Sequence, residues 1–177
     1  MQLAAKRYML FLKICKMRNF SLLLLLICLS CNSQNKTERV NEPTIYNLES
    51  EDVEINRAIK TAQQTLTKFE KAIRSNNANF SLFALKVKFE NKENAEHIWL
   101  SNVEFKNGEY FGVVDNLPEY ITEVKLGETL KIDINTITDW MYLDKSNLVG
   151  GYTIRVLRDR MSEDERKQFD LESGMKF

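Results

Sequence analysis

His97-Ile-Trp-Leu-Ser-Asn-Val-Glu-Phe-Lys106 and Glu109-Tyr-Phe-Gly-Val-Val114 stand on either side of Asn107-Gly108. This arrangement decides the fold. An Asn-Gly pair between two β-prone segments is a strong hairpin signal, because a type I′ turn needs positive φ at both central residues. Counting back from the turn sets Phe105 opposite Tyr110 and Val103 opposite Gly112, with Trp99 further along the same face. Aromatic side chains are therefore expected to line the core side of the hairpin.

The segments around the hairpin extend it into a meander. Upstream, Leu82, Leu85, Val87 and Phe89 are interleaved with Lys86 and Lys88, a pattern that suits a half-buried strand over 80–89. Downstream, Leu130, Ile132 and Ile134 alternate with Thr129, Lys131 and Asp133. A last pair of strands is expected from Asp139 to Leu143 and from Leu148 to Leu157, joined by Asp144-Lys-Ser-Asn147. Symmetric closure of that loop sets Leu143 against Leu148, Trp140 against Gly151 and Asp139 against Tyr152. The indole of Trp140 would then cover the bare backbone of Gly150 and Gly151.

Helices bracket this sheet. Ile55, Ala58, Ile59, Ala62, Leu66, Phe69 and Ile73 recur at steps of three and four, so the spacing predicts an amphipathic helix from about Glu51 to Arg74 whose stripe docks on the core. Ser75-Asn-Asn-Ala-Asn79 ends it with side chains that compete for backbone hydrogen bonds. Ser162-Glu-Asp-Glu165 is a capping box that starts a helix running to about Leu171, before Gly174. Residues 51–177 are thus expected to form one α+β domain, with an N-terminal amphipathic helix and a short C-terminal helix packed on a curved antiparallel β-sheet.

Ahead of this domain, Phe20 to Leu29 is an apolar run of about ten residues, too short for the roughly twenty of a membrane-spanning helix and suited to a signal peptide. Lys6, Arg7, Lys13, Lys16 and Arg18 precede it with no acid among them. Leu29-Ser30-Cys31 resembles a lipobox, although Cys28 stands where leucine is usual. Residues 1–30 therefore read as a lipoprotein signal peptide, with cleavage before a lipidated Cys31, and Met17 offers an alternative start. Residues 31–50, polar and with one proline, Pro43, read as a tether. This places the protein in the bacterial envelope, held to the membrane by the lipid on Cys31.

Cysteine and charge accounting then narrow the chemistry. The three cysteines are Cys15, Cys28 and Cys31, so cleavage leaves only the acylated one, with no disulfide or thiolate metal site to build. The chain has 25 basic and 25 acidic residues, and five of the basic ones precede Cys31, leaving 20 against 25. A net charge of about −5 argues against nucleic acid as a partner.

Three segments carry a family resemblance. Glu96-His-Ile-Trp-Leu100, Asp139-Trp-Met-Tyr142 and Gly150-Gly-Tyr-Thr-Ile-Arg-Val-Leu157 together resemble the uncharacterised bacterial family called domain of unknown function 2314, or YegJ-like. The similarity spans about Ile55 to Asp170. It implies a compact α+β domain and transfers no activity.

The same segments hold the candidate site residues. His97 is the only histidine. Its neighbour Glu96 points to the opposite strand face, so the two do not share a ligand, and a structural role for His97 is preferred. Asp139 is expected to bond local backbone amides where its strand starts. Thr153 and Arg155, two apart, would lie on one strand face, opposite Tyr152 and Ile154, where guanidinium and hydroxyl hold an anion or pair with an acid of the domain. No Gly-rich phosphate loop, serine elbow or paired-carboxylate motif is present in the sequence. The expectation is a non-enzymatic, lipid-anchored binding module without cofactor or metal, using Trp99, Trp140 and Tyr152 or nearby loops on an envelope protein partner. An inhibitor or immunity-type protein is one form of it. The competing class is an envelope hydrolase with His97, Asp139 and Arg155 as acid/base, orienter and anion clamp.

Overall fold

The structure, a computed structural model, describes residues 36–37, 45–46 and 52–177. Strands β1 (Lys36–Thr37) and β2 (Ile45–Tyr46) pair antiparallel within the segment read as a tether. The remainder of that segment and the leader, Cys31 included, lie outside the described residues.

The second unit begins with helix α1 (Val53–Arg74). Asp52 caps it, its carboxylate accepting from the amides of Glu54 and Ile55 at 3.1 Å each. The expected stripe is the buried face: Ile55, Ala58, Ala62, Leu66, Phe69 and Ala72. It packs on one side of a six-stranded sheet of order β6-β5-β4-β3-β7-β8, antiparallel throughout. The strands are β3 (Phe80–Glu90), β4 (Ala95–Lys106), β5 (Glu109–Val114), β6 (Thr129–Ile132), β7 (Ile137–Asp144) and β8 (Asn147–Gly150). Two further helices follow, α2 (Tyr152–Arg160) and α3 (Glu163–Ser173). The α+β architecture is the one expected. Trp140 is its largest fully buried side chain; its ring centroid lies 5.8 Å from that of Phe69, and its indole N–H donates to the Ala62 carbonyl at 2.9 Å.

The Asn107-Gly108 turn forms as expected, with φ of 54° and 84° and Phe105 paired to Tyr110. Beyond it the register departs from a simple count. Ser101 pairs with Val113 and Glu104 with Phe111, so Asn102 and Val103 together oppose Gly112 in a β-bulge, with Asn102 at φ 49°. One extra residue reverses the side-chain alternation. Val103 and Phe105 pack on the α1 side, but further along the strand Ile98 and Leu100 take that side. Trp99 and His97 consequently emerge on the opposite face, which corrects the expectation that Trp99 shares the core face of the hairpin.

A second correction concerns 151–157, expected as strand and observed as helix. Leu143 pairs with Leu148 and Met141 with Gly150 as a hairpin, but Gly150 and Gly151 then adopt φ of +76° and +61°, and the chain turns into α2. A Cβ on Gly150 would sit 2.5 Å from Cε3 of Trp140, so the tryptophan does cover bare glycine backbone there. The local strand preference of Thr153, Ile154 and Val156 yields to a tertiary cap described below. Thr153 and Arg155 therefore do not share a strand face.

α3 starts with the expected capping box, the Ser162 hydroxyl accepting from the Glu165 amide and the Glu165 carboxylate from the Ser162 amide. Arg158 grips Asp170 with two hydrogen bonds of 2.7 and 2.6 Å, joining α2 to α3. Arg160 pairs with Asp52 and Glu54, joining the end of α2 to the start of α1. The free edge of β8 is closed on one side by Lys176, whose carbonyl accepts from the Leu148 amide at 2.8 Å.

Candidate functional site

The sheet face turned away from α1 carries an unusual concentration of buried polar groups. Among the described residues the buried polar side chains are Lys86, Thr138, Asp139 and Thr153, and register and hydrogen bonds connect all four. Lys86 sits at the centre. On central strand β3 it pairs with Trp99 of β4 on one side and with Asp139 of β7 on the other. Its Nζ lies 5.7 Å from the Trp99 ring centroid.

Asp139 is fully buried and saturated. Its Oδ1 accepts from the amides of Trp140 at 2.8 Å and Tyr152 at 3.1 Å, and its Oδ2 from the amide and hydroxyl of Thr153 at 2.7 Å each. Gly151 at the N-cap of α2 has no side chain, so the carboxylate from β7 caps the helix in its place. The expectation of local amide bonding at Asp139 is met by Trp140, and the helix amides extend it. Burial pushes the Asp139 carboxyl up, against the opposing pull of the Thr153 hydroxyl and amide, the Trp140 amide and Lys86.

His97 lies in the next row, opposite Lys88. Its Nδ1 is 2.9 Å from Thr138 Oγ1, and that hydroxyl also donates to the Lys86 carbonyl at 3.2 Å. A register shift between β3 and β7 leaves Thr138 as the extra residue, which brings it to the histidine. Burial, then the charges of Lys86 and Lys88, lower His97 to about 4, so the imidazole is neutral at pH 7. Lys86 itself is pushed down by burial and back up by Asp139.

The remaining sequence candidates go elsewhere. Trp140 is core, and Tyr152 packs on it edge to face with its Oη 3.0 Å from Thr65 Oγ1 on α1. Trp99, Trp140 and Tyr152 thus do not form one aromatic face. The Arg155 guanidinium donates to the carbonyls of Gly150 at 3.0 Å and Leu148 at 2.7 Å, finishing the edge of β8. Of the three residues read as acid/base, orienter and anion clamp, Asp139 is thus engaged by the cap of α2 and Arg155 by the β8 carbonyls, while His97 meets Thr138. Among the described residues no group of three or more His, Cys, Asp or Glu side chains converges as a metal site.

The loop after β5 is joined to the backbone of Trp99. The Trp99 amide donates to Asn116 Oδ1 at 2.8 Å, and its carbonyl accepts from the Asp115 amide at 3.0 Å. Glu96, on the opposite face from His97 as expected, accepts from the amides of Glu119 and Tyr120 at 3.0 to 3.1 Å and so fixes the loop. Leu117 and Tyr120 are left exposed at 47% and 44%. Sequence reasoning missed these two and Lys86. Lys86 reads as one of two solvated lysines in an alternating strand, and only the central place of β3 in the sheet makes it buried.

The comparisons agree with the family that the three motifs resemble. The family described as "Uncharacterized protein conserved in bacteria (DUF2314)" matches residues 52–177. A putative ankyrin repeat protein of Neisseria meningitidis serogroup B is 30% identical over 146 residues, 78% of this chain and 58% of its own length. The uncharacterised protein YegJ of Escherichia coli K12 is 37% identical over 97 residues, 55% of this chain and 62% of its own length. The matched stretches thus span about six-tenths of each relative. No solved structure matches the chain. A match over 52–177 that takes in α1, the whole sheet, the polar cluster and both closing helices makes this chain a member of the DUF2314 family of uncharacterised bacterial proteins.

Proposed function

We propose that the protein is a lipid-anchored module of the bacterial envelope that binds a protein partner through the sheet face around Trp99. One observation carries the reading. A half-buried tryptophan stacked on a buried lysine lies on the face away from α1, and its backbone is joined through Asn116 to a loop that leaves Leu117 and Tyr120 exposed. Aromatic residues next to a cation on a rigid support are what interface hot spots are made of. The two committed groups Asp139 and Arg155 support a binding role over hydrolysis. The anchor rests on the leader and on Cys31, which lie outside the described residues.

Two experiments test this. Benzoylphenylalanine in place of Tyr120 or Leu117 in the full chain should give a discrete ultraviolet crosslink in intact cells, whereas Lys60 on the outer side of α1 should give none. Silence at both loop positions, or an identical adduct from Lys60, would refute the face. Metabolic labelling with a clickable fatty acid should tag wild type and not Cys31→Ala; equal labelling would remove the anchor.

A further inference from the structure

We propose that residues 161–177 form a strap that opens as one unit from the β8 edge while the rest of the domain stays folded, with Arg158 as its latch. No residue from Asp159 to Phe177 is buried, and Leu171 on α3 is 83% exposed. A helix of 11 residues is marginal in water by itself, so α3 stands only through its contacts with the body. Those contacts are polar or aromatic. Arg158 on α2 supplies two of them, its guanidinium giving two hydrogen bonds to Asp170 on α3 and lying 4.4 Å from the ring centroid of Phe177. Past α3, Gly174 at φ +65° turns the chain back toward the sheet. There the Lys176 amide donates to the Ser146 carbonyl and the Lys176 carbonyl accepts from the Leu148 amide, at 2.8 Å each. The rings of Phe169 and Phe177 meet at 5.8 Å, which ties this tail to the helix. Release of Arg158 therefore frees helix and tail together.

The fold also supplies a hinge and a stop. Met161 and Ser162, both in extended backbone at φ −69° and −60°, separate α2 from α3. Just before them Arg160 is fixed to Asp52 and Glu54 at the start of α1, which sets the point where opening ends. The edge beneath responds to the strap. When the strap is closed, the outward amide of Leu148 is bonded to Lys176; when it is open, that amide and the Ser146 carbonyl face water. Arg155, which belongs to α2, keeps the carbonyls of Leu148 and Gly150 in both states. β8 thus has one fixed guard and one removable guard, and the removable one sets how much strand edge the domain shows.

Native-state hydrogen exchange of the full chain at pH 7, read amide by amide by NMR, tests this. The Leu148 amide is the reporter, because its acceptor belongs to the strap. The amides of 167–171 in α3 and that of Leu148 should exchange through one shared opening, with protection at least about a hundredfold lower than that of Leu66 and Phe69 in α1. Asp170→Asn should speed α3 and Leu148 alike by about threefold to tenfold and leave α1 within about twofold. Exchange of α3 only as slowly as α1 would show that the segment opens with the whole domain, and would overturn the strap. Fast exchange of α3 with Leu148 as slow as α1 would overturn it too, since the helix would then fray without uncovering the edge. Equal acceleration of α1 by Asp170→Asn, or no acceleration anywhere, would overturn Arg158 as the latch.

Discussion

Asp139→Ala tests how the second half of the domain is held. The carboxylate accepts three backbone amides and one hydroxyl, all at 3.1 Å or less, in a site with no exposure. Truncation leaves four donors facing a cavity, each worth about 1–3 kcal/mol if it stays unsatisfied. If water re-enters and satisfies two of them, the net loss is about 3–5 kcal/mol, a large share of a domain's stability. Asp139→Asn keeps the shape and the oxygen that serves Trp140 and Tyr152 but turns an NH₂ toward the two Thr153 donors, so about 2–3 kcal/mol is expected. Thr153→Ala alone should cost about 1 kcal/mol and should cost less in the Asp139→Ala background, because the two groups share one interaction. Urea unfolding at pH 7, followed by tryptophan fluorescence and far-ultraviolet circular dichroism, measures each value. A loss under about 1 kcal/mol for Asp139→Ala at unchanged slope would refute the view that β7 caps α2.

The imidazole of His97 is held neutral, with its folded value at about 4 against an ordinary 6.5. The unfolded chain therefore binds the extra proton between those values, and stability falls as pH drops through that window, by up to about 3 kcal/mol before levelling off. His97→Gln should flatten this part of the profile, and an unchanged slope between pH 6.5 and 4 would contradict the assignment. Leu82 is 63% exposed with φ 51°, at the irregularity between the Ser81–Leu143 and Ala84–Met141 pairs. Leu82→Gly should raise stability by about 0.5–1 kcal/mol, and a loss of that size would mean the leucine is held by contacts rather than strained. The two tryptophans should differ in the same assay: Trp140→Ala about 3–5 kcal/mol, Trp99→Ala under about 2. Equal costs would return Trp99 to the core.

The features legible in the sequence are those whose causes are local. The α1 stripe, the Asn107-Gly108 turn and the Ser162 capping box each need only a few neighbouring residues, and each forms as read. The misreadings share a different origin. A bulge at Asn102 is invisible to alternation counting, although asparagine tolerates positive φ better than most residues. From Tyr152 on, β-branched residues favour a strand locally, and a carboxylate thirteen residues upstream decides for a helix. Both errors moved site residues. The bulge turned Trp99 and His97 to the far face, and the helix separated Thr153 from Arg155.

The polar cluster can be sorted by asking what each member does for the fold. Asp139 caps α2, Thr153 supplies two of its donors, and Thr138 links the His97 ring to the Lys86 carbonyl. Lys86 takes no part in these hydrogen bonds: its amine faces the Trp99 indole, with the Asp139 carboxyl as its neighbouring charge. Two irregularities, at Asn102 and at Thr138, bracket this one side chain, and bulges of that kind re-aim residues next to functional sites. If Lys86 served stability, replacing it would be costly. If the desolvation of its amine outweighs the attraction of Asp139, Lys86→Met keeps the stem, removes a buried charge and leaves the four hydrogen bonds of Asp139 in place. The expected result is unchanged stability or a gain of about 1 kcal/mol by urea unfolding, because a buried ion pair costs desolvation that its attraction repays only in part. A loss above about 2 kcal/mol would show instead that the attraction between Lys86 and Asp139 exceeds the cost of burying both.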